Sequence, residues 1–228
     1  MGTLEQAIDG HLADGWIISA RSAGDATDSS GITLFLVPAD RAGVSAVRQM
    51  RVDSRNAAIV RLDGVQVTES DVIGEVGAGL ATLAAGVDRA TVALCGEMLG
   101  GMNEAFDRTI VYLNEREQFG VLIGSFQALK HRAAKMFIER ELAHSVVMAA
   151  ARAVDAGADD ARQLVSNAKA RCSDAYILLT NEALQMHGGI GMTDEHDIGL
   201  FMKRARVAEM TFGDAAFHRN RFAEIQGY

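Results

Sequence analysis

Leu94-Cys95-Gly96-Glu97-Met98-Leu99-Gly100-Gly101-Met102-Asn103-Glu104-Ala105-Phe106-Asp107-Arg108-Thr109-Ile110-Val111-Tyr112-Leu113 places large apolar residues at Leu94, Met98, Met102, Phe106, Ile110 and Leu113. Steps of three and four put these six on one stripe of an α-helix. A second stripe runs through Leu129, Ala133, Met136, Phe137, Ala143 and Val147, and a third through Ala168, Cys172, Ala175, Tyr176, Leu179, Ala183 and Met186. Gly157 with Asp159 marks the break between the last two. Shorter helical pieces are expected after Thr193 and after Gly213. Long amphipathic helices joined by short links describe an antiparallel bundle.

Upstream of about residue 77 the apolar period is two. The only proline, Pro38, lies here, among short β-rich runs: Trp16–Ala20, Gly31–Val37, Ala58–Leu62 and Val65–Val67. Gly, Asp, Ser and Pro bound them, as in a small antiparallel sheet, and Asp63-Gly64 reads as a hairpin turn between the last two. The expected organisation is therefore mainly α: a β segment over 1–75, then a helical bundle domain over 76–228.

Composition narrows the function classes. The 228 residues are 49% hydrophobic and can bury a substantial core. The formal net charge is −8, with charges of both signs interspersed, so no chain-wide field draws in nucleic acid. Any anion must be held by local arginines and helix N-termini. Cys95 and Cys172 each sit in an apolar-periodic segment, which predicts buried free thiols in a reducing compartment. No apolar run approaches the length of a membrane span and none follows a basic start, which predicts a cytoplasmic protein without membrane insertion. The six histidines lack His-Glu-x-x-His spacing and no Cys-x-x-Cys accompanies them, so no metal site is expected.

Two stretches are built to present backbone to a ligand. Gln185-Met186-His187-Gly188-Gly189-Ile190-Gly191-Met192-Thr193 closes the third helix with glycines that can take positive φ and lie flat against a flat or anionic group. Arg116-Glu117-Gln118-Phe119-Gly120 puts a cation, an aromatic ring and a glycine at the end of the first helix. Together they suit a phosphate-bearing cofactor with a large ring system. Two other readings of glycine-rich sequence are set aside. Gly74-Glu75-Val76-Gly77-Ala78-Gly79 lacks the βαβ context of a dinucleotide fingerprint. The His187–Gly191 run follows a helix, not a strand, and no Gly-x-Ser-x-Gly elbow accompanies it as an esterase would require.

In order along the chain, Arg116–Gly120, Phe126-Gln127-Ala128-Leu129-Lys130-His131 and Gln185–Gly191 closely resemble the acyl-CoA dehydrogenase family of flavoproteins. Asp63–Val67 and Val72-Ile73-Gly74 resemble the family's last sheet strands and its linker into a C-terminal helical domain. The resemblance covers nearly the whole chain, and implies that the β segment is incomplete, because family members carry an N-terminal helical domain and a full sheet domain as well. It implies FAD bound where subunits meet. Arg116 would pair with the pyrophosphate, Phe119 would pack on the ring system or adenine, and Gln127 would hydrogen-bond nearby. Gln185 and the amides of Gly188 and Gly189 would approach the adenine-diphosphate half of an FAD held mainly by a neighbouring subunit.

The resemblance also implies a carboxylate base that takes the α-proton of a CoA thioester while hydride leaves for the flavin. Many members take that base from a Glu-Gly-Thr turn; here Thr211-Phe212-Gly213-Asp214 stands in its place, and a phenyl ring accepts no proton. Other members take it from the first long helix, just before an arginine. That position is Asp88, before Arg89, and it is the catalytic candidate, with Arg89 as substrate-binding candidate. Aspartate is one methylene shorter than glutamate, a misplacement that can cost on the order of 10²-fold. The Phe212 amide keeps the backbone donor that helps hold the thioester carbonyl.

Two expectations follow from the resemblance: an acyl-CoA dehydrogenase using Asp88 as base, or a non-catalytic, cofactor-completing subunit beside a full-length dehydrogenase partner. A fragment of a longer enzyme would read the same way. The apolar stripes predict a homo- or hetero-oligomer, and the family's route passes electrons to a soluble flavoprotein.

Overall fold

The computed structural model describes residues 2–228. The chain divides into two compact units, Met1–Gly86 and Val87–Tyr228.

In the first unit, β1 (Gly2–Ile8), β5 (Asn56–Leu62) and β4 (Val44–Met50) form one antiparallel sheet in the order β1-β5-β4; β2 (Gly15–Arg21), β3 (Ile32–Pro38) and the short β6 (Val72–Ile73) form another. Ile18, Leu34, Val37, Ala57, Ala58 and Val60 are buried. The hairpin expected at Asp63-Gly64 does not form. Both edges of β5 are taken, since Leu62 pairs with Gly2 of β1 and with Val44 of β4, so Val65–Val67 has no edge to join. Instead Arg41 fastens that segment, donating to the Gln66 carbonyl (2.9 Å) and to both Asp71 oxygens (2.7 and 3.0 Å).

In the second unit, α1 (Gly79–Glu115), most of which lies here, is followed by a two-stranded hairpin of β7 (Glu117–Gln118) and β8 (Val121–Leu122). Then come α2 (Gln127–Ala156), α3 (Ala161–His187), α4 (Ile198–Met210) and α5 (Ala215–Gln226). Two of the three stripes read from the sequence face the core throughout, with Met98, Met102, Cys172, Leu179 and Ala183 all at most 1% exposed. The exception is Phe137 on α2, 46% exposed; the Arg140 guanidinium lies over its ring at 4.9 Å and over that of Phe106 at 4.6 Å. α3 is central and packs on α2, α4 and α5. α2 stops at Gly157, which takes φ 62° and lets Ala158 N–H reach the Ala153 carbonyl at 2.9 Å. α5 starts where the Asp214 carboxylate accepts from Phe217 N–H at 2.8 Å.

α1 and α3 approach closely because one side has no side chain. A Cβ built on Gly101 would lie 2.1 Å from the hydroxyl of the buried Tyr176. Gly101→Ala is therefore expected to destabilise the chain by about 1–3 kcal/mol through overpacking, despite the roughly 1 kcal/mol gain in helix propensity. Adding Tyr176→Phe should restore part of the loss. Urea unfolding midpoints of the two variants decide it, and a Gly101→Ala chain as stable as wild type contradicts the close-packing account.

Candidate functional site

Arg116 follows directly after α1, its N–H still bonded to the Tyr112 carbonyl (2.9 Å) while its own carbonyl accepts from Ile123 N–H (2.8 Å). Its side chain is exposed and has no ion pair among the described residues. The hairpin beyond it turns over two residues, Phe119 at φ 57° and Gly120 at φ 76°. Both signs match the two-residue turn favoured between antiparallel strands, whose first position suits Asn or Asp. A phenylalanine in the left-handed region is strained by roughly 1–2 kcal/mol, and this one projects almost wholly into solvent, 93% exposed, with only the Phe126 ring near it at 6.1 Å. Gln127 opens α2 immediately after, at a helix N-terminus with no side-chain cap and no acidic residue in its first turn. The unbonded N–H groups there favour an anion.

The second stretch lies beside the first. α3 ends at His187, and Gly188–Met192 form a 3₁₀ turn. His187 is buried and stacks on Tyr112 at 4.4 Å, and the Tyr112 hydroxyl donates to the His187 carbonyl at 3.2 Å. Tyr112 is one helical turn before Arg116, so this contact brings the Arg116 hairpin and the glycine turn onto one side of the bundle. Gln185, Gly188 and Gly189 are exposed. Gly188 takes φ 64°, which explains its identity; Gly189 does not, and a Cβ there would have nothing within 4 Å. Within the chain nothing requires a glycine at 189.

The Asp88 carboxylate is buried and engaged. Arg221 donates to Oδ2 at 2.8 Å and holds its other terminal nitrogen 2.7 Å from Oδ1, and Arg162 lies 3.8 Å from Oδ2. Arg89 is exposed, with no ion pair among the described residues. The turn that carries Phe212 lies between α4 and α5. Phe212 is at φ 60°, and buried side chains grip the carbonyls around it. Lys169 of α3, fully buried, donates to the Glu209 carbonyl (2.9 Å), the Gly213 carbonyl (2.7 Å) and the Ser173 hydroxyl (3.2 Å). His218 of α5 donates from Nε2 to the Phe212 carbonyl at 2.9 Å.

Tyr112, His187, Lys169, His218 and Arg221 were not singled out from the sequence. Lys169 did carry a signal: it falls between Val165, Ala168 and Cys172 on the apolar stripe of α3, where a cation must find buried acceptors. Arg221, 133 residues from Asp88, carried none.

A family model described as "Acyl-CoA dehydrogenase, C-terminal domain" matches residues 77–226. The mitochondrial short/branched chain specific acyl-CoA dehydrogenase of Bos taurus is 28% identical over 221 residues, 92% of this chain and 51% of that protein. Acyl-CoA dehydrogenase IpdE2 of Mycolicibacterium smegmatis is 39% identical over 126 residues, covering 55% of this chain and 39% of that one. Among solved structures, a chain of the ChsE4-ChsE5 complex from Mycobacterium tuberculosis superposes with a TM-score of 0.88 at 26% identity, over 99% of this chain and 59% of that one. The chain thus spans about half the length of the curated relatives it matches. No helix among the described residues is long and apolar enough to cross a membrane.

Burial holds the His187 and His218 imidazoles below their ordinary value of 6.5, outweighing the carbonyl each donates to; the Lys169 and Arg221 cations push His218 the same way. The unfolded chain therefore binds protons that the folded chain refuses as pH falls through 6.5. Stability should be full above that pH and decline below it, a drop that His218→Gln reduces. The Asp71 carboxylate, which its hydrogen bond from Arg41 holds below the usual 3.8, acts only at lower pH. Unfolding midpoints between pH 7 and 5 that do not move would refute this. Separately, Phe119→Asn should stabilise the chain by up to about 1 kcal/mol by relieving the left-handed phenylalanine; a loss of that size would mean the ring supports the fold.

Proposed function

The chain belongs to the acyl-CoA dehydrogenase family, and on that premise we propose that it serves FAD-dependent α,β-dehydrogenation of a CoA thioester as the subunit that completes the FAD site, leaving proton removal to a partner subunit. The observation that carries the reading is the exposed, unpaired Arg116 guanidinium on the same side as the open Gly188-Gly189 turn. These residues fit FAD. A guanidinium offers a diphosphate two parallel charge-assisted hydrogen bonds, and the uncapped start of α2 at Gln127 adds free N–H groups. Phe119, solvent-exposed at a strained φ, has an aromatic face for a ring system. At Gly189 the missing side chain leaves room for a flat ligand group, and Gln185 can hydrogen-bond beside it.

When bound, FAD supplies the acceptor for the hydride that leaves the β-carbon. The base has to come from a protein carboxylate, and this chain offers a poor one. Phe212 stands where a glutamate serves in many relatives, and the buried Asp88 carboxylate is ion-paired with Arg221, which donates to Oδ2, while Oδ1 accepts no hydrogen bond among the described residues. A base needs a free lone pair aimed at the substrate. The Phe212 N–H has no hydrogen-bond partner among the described residues, while those of Thr211 and Gly213 bond the Val207 and Met210 carbonyls. In this reading it would donate to a thioester carbonyl. The fold's likeness to a chain of the ChsE4-ChsE5 complex supports assembly with a second subunit, which in this reading supplies the base, and a soluble flavoprotein would take the electrons.

The second reading, Asp88 as the base of a self-sufficient enzyme, is favoured by one feature: a buried carboxylate on α1 directly before the exposed Arg89. Two variants in the reconstituted assembly separate the readings. Arg116→Ala should weaken FAD binding by roughly 10- to 100-fold, the value of a lost charge-assisted hydrogen bond; unchanged affinity removes Arg116 from the site and with it the proposal. Asp88→Asn should leave turnover within about twofold, whereas a loss on the order of 10²-fold or more makes Asp88 the base.

A further inference from the structure

The buried lysine of α3 has a task that bundle packing does not require. An ammonium carries three donors and no acceptor, and Lys169 places all three: on Ser173 Oγ, Glu209 O and Gly213 O. The first acceptor is one turn away on its own helix. The other two bracket Phe212, one in the last turn of α4 and one directly after Phe212. Glu209 O belongs to a helix C-terminus, where carbonyls lack helical partners and a cation is favoured. Burial lowers the proton affinity of Lys169 from that of an ordinary lysine, against the pull of the nearby Glu209 and Asp214 carboxylates, and the three acceptors satisfy every donor of the buried ammonium.

The middle carbonyl of the turn, Phe212 O, is held from the α5 side by His218 Nε2. Three carbonyls within five residues are thus drawn toward buried donors. Phe212 itself is kept at φ 60°, a conformation a phenylalanine abandons when released. Its N–H remains without an intrachain acceptor. A strained, donor-exposing turn persists only when its surroundings over-determine it. Here the over-determining group is a buried cation contributed by a third helix.

We infer that Lys169 is a positioning residue: by fixing the Glu209 and Gly213 carbonyls it holds the Phe212 N–H outward as a preorganised donor for an acyl carbonyl oxygen. The identity of that acceptor rests on the function proposed above; the mechanical role of Lys169 does not. Lys169 touches no substrate. It acts through the peptide plane it aims.

The test uses the full chain, wild type and Lys169→Met, labelled with ¹⁵N-phenylalanine, the Phe212 signal being assigned by its loss in Phe212→Leu. Without ligand, Lys169→Met should shift the Phe212 amide resonance and lower its heteronuclear NOE, while the Phe35 signal in the sheet unit stays in place. An unmoved, equally ordered Phe212 amide overturns the inference. With octanoyl-CoA carrying ¹³C at the thioester carbon, and with CoA alone as control, wild type should lower the carbonyl stretching frequency. Lys169→Met should bind CoA equally well and lose that lowering, a signature that general loosening of the bundle would not single out. Equal lowering in both proteins also overturns the role of Lys169. No lowering in wild type, with the ligand-free effect intact, instead sinks the thioester reading and leaves Lys169 as the turn's clamp. Should Lys169→Met fail to fold, Lys169→Gln, which keeps one donor, carries the same comparisons.

Discussion

His187 is where the geometry of the ligand-facing side is decided. It ends α3, is buried against Tyr112, and through its own carbonyl receives the Tyr112 hydroxyl. This single contact ties the last full turn of α1 to the last turn of α3. Everything read as a cofactor cradle, from Arg116 through Gln127 on one side and from Gln185 through Gly189 on the other, extends from those two helix ends. The His187 Nδ1–H also bonds back to the Ala183 carbonyl at 2.7 Å, which fixes the ring against its own helix.

The same bundle is organised differently at the Phe212 turn. There the residues are polar or charged and mostly buried: Asp88 with Arg221, Lys169 on three acceptors, His218 on the Phe212 carbonyl. Buried ionic groups are expensive, and removing one partner leaves the other uncompensated. Such a cluster is weak evidence for added stability and better evidence for a specified geometry. It fixes the turn that carries Phe212, whose N–H has no hydrogen-bond partner among the described residues. On the function proposed above, the missing carboxylate and the kept backbone donor are separable, because they depend on different atoms of one residue.

Much of this was legible in the sequence. Helix stripes at steps of three and four survive folding because those positions share a face, which the bundle buries; α3, packed on three helices, buries more than its stripe. The glycines at 157, 188 and 120 stand where positive φ is required. The β segment was less legible. Gly2–Ile8 and Val44–Met50 became strands although most of their residues are exposed, and neither run alternates apolar with polar as a half-buried strand would. Their formation is set by β5, which needs a partner on each edge, and the same demand removed the hairpin expected at Asp63-Gly64. Pairings such as Asp88 with Arg221 are tertiary facts, since nothing at either position specifies the other.

Gly189 offers the most direct measurement of the central claim that the Arg116 hairpin and the glycine turn form one cradle for an FAD diphosphate. Among the described residues its Cβ would meet nothing within 4 Å, so Gly189→Leu probes an external occupant, with an unfolding control for any effect inside the chain. Isothermal titration of FAD into the assembled protein, with urea unfolding of the same variant as control, reads both quantities. The account predicts an unchanged unfolding midpoint and FAD binding reduced beyond detection. Full-strength FAD binding by Gly189→Leu would contradict it.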